Sequence, residues 1–375
     1  MRILHVVGGL NRGGAETWLV QILRHVDRRK YQMDFLVHSE QPGAYDEEVK
    51  ALGARVLPCL SPSNPIRYSI NFRRILRQYG PYDCVHSHVH WYSGFVLFLA
   101  AKNQVPLRIV HGHTDTRTLD CASSPLRKAY LRTMAKLIHR YATAGIAVSE
   151  NAAASQFSDS WRSDPRWNLC PLGIDVSPFQ EEVDARAVRA ELGLPPGASV
   201  IGHVGRFVEA KNHQFLVEIA ERLCREEPSA VFLLVGDGPL RPEIEARVRA
   251  KRLWDRFFFV GIRADVPRIM KGAMDCFLFP SLYEGLSMAL LEAQAAGLPC
   301  VISDRVPAEG SAVEQLIGRL SLTESPETWA RASIEAARAS RNVSRTLPPE
   351  LAGCTIGTSA ARVESAYCEA TLRRT

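Results

Sequence analysis

Short apolar runs alternate with longer segments of helical spacing along most of the chain. Arg2 to Val7 predicts a first strand, and the apolar residues between Glu16 and Val26 recur at the spacing of a helix. Further strands are predicted at 33–37, 55–57, 82–86, 107–111 and 145–148, and helices at 45–52, 66–79, 91–102, 125–141 and 150–157. Strands that alternate with helices indicate an α/β protein with a parallel, doubly wound sheet.

A second alternating series follows a predicted linker that runs from Pro171 to Asp184. Its strands are predicted at 200–204, 231–235, 257–260, 275–279 and 300–302, and its helices at 212–225, 241–250, 266–271, 288–296 and 325–340. A loop is predicted at 342–349 and a last helix at 359–372. We therefore expect two Rossmann-like domains, residues 1–172 and 173–357, facing across a ligand cleft, with residues 358–375 packing back on the first domain.

Composition is typical of a globular protein that lies outside the membrane. The 375 residues are 46% hydrophobic and 23% charged, and no apolar run is long enough to cross a membrane. The nine cysteines form no C-x-x-C pair, which favours reduced thiols over a disulfide framework or a zinc knuckle. Glycine interrupts the first ten residues too early for a signal peptide. The expected location is the cytoplasm.

Charge is distributed unevenly along the chain. Residues 1–175 hold 22 Lys and Arg against 14 Asp and Glu, whereas the remainder holds 24 against 26. The predicted helix at 125–141 carries Arg127, Lys128, Arg132, Lys136, His139 and Arg140. This helix could make a peripheral contact with an anionic membrane; the alternative is a core-packed helix with a solvated basic face. No motif favours binding to nucleic acid.

A glycine-rich loop joins the first strand to the first helix. Gly8 and Gly9 open this loop, and Gly13 and Gly14 close it. A glycine loop that leads from a strand into a helix can cradle a phosphate with its backbone N–H groups. The spacing differs from the G-x-G-x-x-G of dinucleotide enzymes, so a tight turn without a ligand explains the pattern equally well.

The stretch 279–300 combines two carboxylates with a helix start. Glu284 and Gly285 lie in a loop after a strand, and Ser287 precedes a helix that contains Glu292. Open α/β sheets bind ligands at the carboxyl ends of their strands, and a helix N-terminus attracts anions. Two glutamates could therefore hold an extended ligand that carries a phosphate. The alternative is an ordinary βαβ unit with two solvated glutamates.

Two cations and a turn extend this phosphate chemistry. Arg206 and Lys211 bracket the end of one strand and the start of the next helix. A guanidinium and an ammonium directed at the same place suit a diphosphate, although a solvated loop is the alternative. The turn that begins at Gly236 could form a wall of the same site.

Histidines alternate at two predicted strand ends. His86, His88 and His90 follow one strand, and His111 and His113 follow the next. Alternate histidines could bind a metal, but no Asp or Cys stands at a supporting spacing beside the first set, so no metal is expected. His113 lies just beyond a strand end, where contact with a ligand is expected.

Taken together and in this order, the motifs resemble retaining glycosyltransferases of family 4, which have the GT-B fold. The resemblance covers essentially the whole chain. It rests on the glycine-rich first loop, a His after the fifth strand, R-x4-K, the G-D-G-P turn and E-x7-E. The opening GGLNRGGAETWL, the VHSHVH strand and the DRVPAEG segment resemble more narrowly exopolysaccharide-biosynthesis glycosyltransferases of the EpsF kind.

The resemblance implies a role for each matching position. His113, Arg206, Lys211 and Glu284 would act on the reacting sugar and the leaving diphosphate. The donor would be bound by Gly13, Gly14, Gly236, Gly261, Gly285, Leu286, Ser287 and Glu292, with Glu292 on the ribose. The implied substrates are a nucleotide-sugar donor and a saccharide or lipid-linked saccharide acceptor. No metal or other cofactor is implied, since cations and helix termini replace it.

Two departures leave the donor's identity open. Val208 to Ala210 replaces a segment that often contains proline, and Glu309 to Leu320 replaces an Asn-Gly turn near the nucleotide. Two other functions also stay open. A nucleotide-sugar 2-epimerase would have the same fold, and a non-catalytic member could bind the nucleotide as a scaffold or sensor. The intact set of cations and glutamates argues against the non-catalytic protein, and the basic first half argues mildly against the epimerase.

Overall fold

The computed structural model describes residues 1–340 and 346–372, apart from the side chains of Thr118 and Leu119. The chain forms two compact units. Unit 1 comprises residues 1–173 together with the last helix from Ile356, and unit 2 comprises residues 174–355. The chain passes from unit 1 to unit 2 after residue 173 and returns to unit 1 after residue 355. These two positions lie one and two residues from the domain boundaries expected from the sequence. Part of the predicted loop at 342–349 lies outside the described residues.

Unit 1 is built on a seven-stranded sheet in the order β3-β2-β1-β4-β5-β6-β7, and every pair of neighbours is parallel. The strands are β1 Arg2–Val7, β2 Gln32–Val37, β3 Val56–Pro58, β4 Cys84–Ser87, β5 Leu107–Gly112, β6 Ala144–Ala147 and β7 Trp167–Leu169. The register places His5 of β1 beside His86 of β4. The sheet thereby brings together histidine side chains from segments that are distant in the sequence.

The helices of unit 1 follow its strands, as in a doubly wound sheet. They are α1 Gly14–His25, α2 Asp46–Ala51, α3 Pro65–Tyr79, α4 Ser93–Lys102, α5 Arg117–Cys121, α6 Pro125–Tyr141, α7 Glu150–Gln156 and, from the end of the chain, α15 Ile356–Leu372. The last helix packs on α1, where Trp18 Nε1 donates a hydrogen bond of 2.9 Å to Ser359 Oγ. Both Trp18 and Tyr367 of α15 are fully buried, so α15 is part of the core of unit 1.

Unit 2 repeats the architecture with a parallel sheet in the order β10-β9-β8-β11-β12-β13. The strands are β8 Ser199–Val204, β9 Ala230–Val235, β10 Phe257–Gly261, β11 Cys276–Phe279, β12 Cys300–Ser303 and β13 Ile317–Leu320. The helices are α8 Ser177–Gln180, α9 Ala185–Glu191, α10 His213–Glu226, α11 Arg241–Ala250, α12 Val266–Ala273, α13 Met288–Ala295 and α14 Pro326–Ser340. Leu216, Phe232 and Trp329 lie in its core.

The predicted α/β class with two doubly wound parallel sheets is confirmed, and five short helices and strands were missed: α5, β7, α8, α9 and β13. Within the predicted linker, α8 is a short helix that packs on α12 through a contact that buries Phe179, and α9 begins directly after the linker and packs on α12 as well. The strands β7 and β13 are short and lie at the sheet edges. Among the described residues, no helix is long and apolar enough to cross a membrane.

Candidate active site

The candidate site of unit 2 lies where β8 and β11 end. The loop after β8 closes with Lys211 and Asn212, and Asn212 adopts the left-handed conformation with φ of 53° before α10 begins. Asn212 Nδ2 donates to Pro280 O at 3.1 Å, and Leu282 N donates to Ala210 O at 2.8 Å. These two bonds hold the loop after β8 against the loop after β11. The sequence analysis did not identify Asn212 as a positioning residue.

Lys211 and Glu284 form an ion pair across these two loops. Lys211 Nζ lies 2.6 Å from Glu284 Oε1, and the side chains are only 16% and 11% exposed. The ammonium also lies over the ring of Phe279, 4.6 Å from its centroid. The resemblance predicted that both residues face a ligand; the structure shows that they already neutralise each other. A ligand would therefore enter a site in which charge is balanced and oriented.

Arg206 differs from Lys211 in having no side-chain partner among the described residues. It is exposed, directly after β8, and its guanidinium makes no hydrogen bond or ion pair with the described residues. The neighbouring Glu209, whose charge would oppose a diphosphate, is also exposed. An uncommitted guanidinium at a strand end remains available for a bidentate contact with an anion.

Gly236 and Gly261 bring the ends of three strands into close contact. Gly236 has φ of 131°, and a Cβ at this position would lie 2.1 Å from Gly205 O. Its N–H donates to Gly261 O at 2.8 Å, and Gly261 has φ of 69°. Glycine is required here by the backbone itself. Direct contact of Gly236 and Gly261 with the donor remains a prediction.

The helix α13 begins directly after Gly285, Leu286 and Ser287, all of which are buried. Ser287 is its N-cap, and its Oγ accepts a bond of 3.4 Å from Leu290 N. The cap explains why the helix begins at Met288. The first N–H groups of a helix have no partner within it, so this end is suited to an anion. The expected phosphate contact of residues 285–287 remains a prediction.

Glu292 is a half-buried carboxyl without a charged partner. It lies in the second turn of α13, and no ion pair or side-chain hydrogen bond reaches it from the described residues. Burial raises the pKa of Glu292 to about 7. An unpaired carboxyl in such a place is costly unless a ligand satisfies it, so the geometry favours a binding role over a solvated glutamate.

Gly13 and Gly14 lie at the start of α1 in unit 1. Gly13 is the N-cap with φ of −140°, a conformation that any residue adopts, and no side chain caps the helix. A Cβ at Gly14 would meet no atom within 4 Å. Backbone strain therefore does not explain glycine at these positions. The open space beside Gly14 at a helix start is consistent with the predicted ligand contact, whereas the Glu16 carboxylate occupies the space beside Gly13.

Five histidines lie together on one face of the unit 1 sheet, and we call them the histidine cluster. They are His5, His86, His88, His111 and His113. The cluster is covered by α1 and α15, with the ring of Trp18 edge-on to His111 at 5.1 Å. Burial lowers the pKa of His5 and His113 to about 3, and holds the pKa of the other three well below its usual range. All five rings are therefore neutral at pH 7.

His113 takes part in a chain of hydrogen bonds within this cluster. His5 Nδ1 lies 3.0 Å from His88 Nε2, and His88 Nδ1 lies 2.9 Å from His113 Nε2. His113 Nδ1 is buried and has no partner among the described residues. A sugar contact through this imidazole therefore requires the ring to turn away from His88. The sequence analysis missed His5, since its register with β4 cannot be read from local pattern.

Nitrogen ligands are also close enough to hold a metal in two overlapping groups. One group is His5, His86 and His88, and the other is His88, His111 and His113; in each, one nitrogen per ring lies within 4.8 Å of the others. The sequence analysis weighed histidines strand by strand and found no supporting ligand. In the folded chain the additional histidine ligands come from neighbouring strands. His90 lies outside these groups, with Nε2 at 3.3 Å from Thr116 Oγ1.

Family models and relatives match both units. Residues 13–165 match the "Glycosyl transferase 4-like domain" and residues 184–343 match "Glycosyl transferases group 1". The chain is 39% identical to "Putative glycosyltransferase EpsF" of Bacillus subtilis (strain 168), over 91% of this chain and 88% of that protein. It is 35% identical to the Escherichia coli "UDP-Gal:alpha-D-GlcNAc-diphosphoundecaprenol alpha-1,3-galactosyltransferase", over 36% of each chain.

Solved structures agree on the fold. Anabaena Alr3699/HepE in complex with UDP and glucose has a TM-score of 0.77 at 19% identity, covering 98% of this chain and 99% of that one. WaaG, a glycosyltransferase involved in lipopolysaccharide biosynthesis, has a TM-score of 0.70 at 17% identity, covering 98% and 95%. The protein is therefore a glycosyltransferase of the GT-B fold. It belongs to glycosyltransferase family 4, and the predicted resemblance to the EpsF kind is confirmed.

Proposed function

We propose that this glycosyltransferase moves a sugar from a nucleoside-diphosphate sugar to a saccharide acceptor during assembly of an exopolysaccharide or cell-surface polysaccharide. The observation that carries the proposal is the Lys211–Glu284 pair in a site that also holds the unpaired Glu292 and Arg206. The UDP and glucose bound to HepE, and the UDP-Gal in the name of the Escherichia coli relative, support this class of donor.

Each part of the donor, from the nucleoside to the sugar, is assigned to residues of the site. Glu292 accepts hydrogen bonds from the ribose hydroxyls, which satisfies a carboxyl that otherwise has no partner. The helix start at 285–287 receives the distal phosphate, and Arg206 makes a forked contact with the diphosphate. Gly13 and Gly14 offer backbone N–H groups to the diphosphate or the sugar.

Charge stabilisation drives the proposed bond cleavage. As the glycosidic bond to the diphosphate breaks, negative charge grows on the leaving oxygen, and Lys211 lies oriented to neutralise it. Glu284 orients Lys211 and binds sugar hydroxyls beside the reacting carbon. We propose that Arg206, Lys211 and the N-terminus of α13 supply the positive charge, so that transfer needs no metal. Activity that is unchanged after treatment with EDTA supports this assignment, and activity restored by added Mg²⁺ or Mn²⁺ contradicts it.

The anomeric configuration is proposed to be retained by front-face attack. Within the proposed site, Glu284 is occupied by Lys211 and Glu292 is assigned to the ribose, so neither is placed as a covalent nucleophile. The acceptor then attacks from the side that the diphosphate leaves. His113 contacts the sugar in this proposal after its ring turns away from His88.

A lipid-linked acceptor and a peripheral contact with the cytoplasmic face of an anionic membrane complete the proposal. Arg127, Arg132 and Lys136 of α6 are exposed, and so is Leu126, at 82%. On α3, Ile66 and Ile70 are exposed one turn apart, a feature that the sequence analysis missed. Exposed apolar side chains beside basic ones are typical of helices that lie on anionic lipid. The diphosphoundecaprenol in the name of the Escherichia coli relative supports this acceptor class.

The test is a screen of nucleotide sugars with an undecaprenyl-diphosphate sugar as acceptor. Mass spectrometry of the lipid should show one added sugar for a single donor class, and NMR of the product should show the donor's anomeric configuration. A donor that changes into its 2-epimer without transfer would identify an epimerase. Binding without any turnover would identify a non-catalytic protein. Inversion of configuration would contradict the front-face mechanism but not the proposed sugar transfer.

A further inference from the structure

The histidine cluster contains more unpaired nitrogen than a structural core normally tolerates. His5 Nε2, His86 Nε2 and both nitrogens of His111 are buried and make no hydrogen bond with the described residues. Each such group loses its hydration without compensation, so each one requires an explanation such as an ion or an ordered water. The unpaired nitrogens of His5 and His86 lie on the neighbouring strands β1 and β4, whereas those of His111 lie on β5, outside the group formed by His5, His86 and His88.

Two of the rings are oriented by hydrogen bonds on their other nitrogen. His86 Nδ1 lies 2.9 Å from the hydroxyl oxygen of Tyr367, which leaves His86 Nε2 free. His88 Nδ1 lies 2.9 Å from His113 Nε2, and His88 Nε2 points instead at His5, 3.0 Å from its Nδ1. His86 has the arrangement that is usual for metal-binding histidines, in which the remote nitrogen is hydrogen-bonded and the near nitrogen is left for the metal. Both nitrogens of His88 are hydrogen-bonded, so a metal would take the place of its contact with His5.

The spacing of the rings also suits a metal. The ring centroid of His5 lies 5.0 Å from that of His86 and 5.3 Å from that of His88, and the His86–His88 distance is 4.2 Å. With metal–nitrogen bonds of about 2.0–2.1 Å, three rings around a tetrahedral ion have centroids about 5 Å apart. Two of the three distances already match, and His86 and His88 would separate slightly.

We propose that His5, His86 and His88 form a binding site for a divalent transition metal of the zinc class, with a water or hydroxide in the fourth position. Neutral imidazoles are preferred ligands for Zn²⁺. The metal would join β1 to β4 and, through Tyr367, to α15. This role is structural and does not depend on the proposed transfer reaction, although a turn of His113 toward the sugar would break the hydrogen bond that orients His88.

The test uses the full chain without a polyhistidine tag, with Zn²⁺ and Co²⁺ as probes. After exhaustive dialysis, elemental analysis should find one Zn²⁺ per chain. Addition of Zn²⁺ at a hundredfold excess over its Kd should raise the Tm of the metal-free chain by roughly 5 °C or more. The Co²⁺ form should show the visible bands of a tetrahedral nitrogen site.

Variants then identify the ligands. His5→Asn and His86→Asn should lose the bound metal and the Co²⁺ bands. His25→Asn, at an exposed position of α1, serves as the matched control and should keep both. His111→Asn should also keep the metal, because His111 belongs only to the other group. Loss of metal in His111→Asn would overturn this ligand set. Absence of Co²⁺ bands in the unaltered chain would overturn the site itself, even if a variant fails to fold.

Discussion

At the scale of single residues, the candidate site combines a satisfied charge pair with an unsatisfied carboxyl. Lys211 and Glu284 neutralise each other, whereas Glu292 has no charged partner among the described residues. The first arrangement holds a cation in position before the ligand arrives, and the second makes room for hydrogen-bond donors on the ligand. Both features follow from partial burial, which strengthens charge interactions and penalises unpaired groups.

Breaking the Lys211–Glu284 pair should reduce stability as well as activity. Lys211→Met leaves the carboxylate of Glu284 largely buried and unpaired, so we expect a loss of about 1–3 kcal/mol in the free energy of unfolding. Lys211→Met combined with Glu284→Gln should cost less than the sum of the single changes, because neither charge is then stranded. Urea denaturation followed by circular dichroism measures all three variants.

The matched control is Lys251→Met, which removes a more exposed partner of Glu221 on the surface of unit 2. It should cost less than about 1 kcal/mol. If the double variant loses as much free energy of unfolding as the Lys211 and Glu284 single variants together, the two side chains do not interact in solution.

Donor affinity should depend on pH through Glu292. The free chain holds the pKa of Glu292 at about 7, well above its usual value, so the carboxyl is increasingly protonated as the pH falls below 7. In our proposal the carboxylate form accepts the ribose hydroxyls. The donor's Kd should therefore rise roughly eightfold from pH 7.5 to pH 6. Isothermal titration with a nucleotide sugar, whose diphosphate does not titrate in this range, measures the effect.

Glu292→Gln provides the control for this pH dependence. Its affinity should be weaker than that of the unaltered chain at pH 7.5 and should not change over the same range. A Kd of the unaltered chain that is constant from pH 6 to 7.5 would remove Glu292 from the donor contact.

The sequence identified the charged residues of the site but not their pairing. Arg206, Lys211, Glu284 and Glu292 were recognised from R-x4-K and E-x7-E. The ion pair depends on the left-handed turn at Asn212 and on hydrogen bonds between two loops that are about 70 residues apart. Such long-range geometry leaves no local pattern. Four of the five histidines of the cluster were singled out, but their meeting with His5 was missed for the same reason, since strand register decides which histidines meet.

At the scale of elements, the close approach of strand ends limits which residues can follow β9. Gly236→Ala places a methyl group against Gly205 O in a left-handed conformation, so it should destabilise the protein by about 2–4 kcal/mol. Gly197→Ala is the matched control, because Gly197 also has positive φ, 74°, but open space around it. It should cost about 1 kcal/mol. Thermal denaturation compares the two, and equal losses would show that only the dihedral angle matters.

Long elements were predictable and short ones were not. The helix Pro125–Tyr141 agrees with its prediction at both ends. Its start is marked by Ser124 as the N-cap and by proline at the first helical position. Helix α8 was taken for part of a linker and α9 had no prediction, because four and seven residues do not establish a helical period. Burial of Phe179 and Val188 explains why these segments fold, and their local start signals were a proline in the first turn of α8 and Asp184 as the N-cap of α9.

At the scale of the whole molecule, the positive charge of the first half should be observable as membrane binding. The protein should sediment with vesicles that contain anionic lipid and dissociate as salt is raised, because screening weakens surface attraction. Replacing Arg127, Lys128, Arg132 and Lys136 with glutamate should abolish binding. Serine at Ile66, Ile70 and Leu126 should weaken it without changing its salt dependence.

The control for this prediction reverses three exposed or half-buried arginines of unit 2, Arg247, Arg249 and Arg252, which should leave binding unchanged. Equal binding to neutral and anionic vesicles would contradict an electrostatic contact. In that case α6 is a core-packed helix with a solvated basic face.

The most direct test of the proposed transferase is the contrast between its two glutamates. Steady-state kinetics with the donor varied should separate Glu284→Gln from Glu292→Gln. Glu284 is paired with Lys211, and in our proposal its contacts with the reacting sugar strengthen as the bond breaks, so its variant should mainly lower kcat. In the same proposal Glu292 binds the ribose equally before and during bond cleavage, so its variant should mainly raise the donor KM. Unaltered kcat and KM in both variants would contradict the account, and interchanged effects would show that the donor binds in the opposite direction.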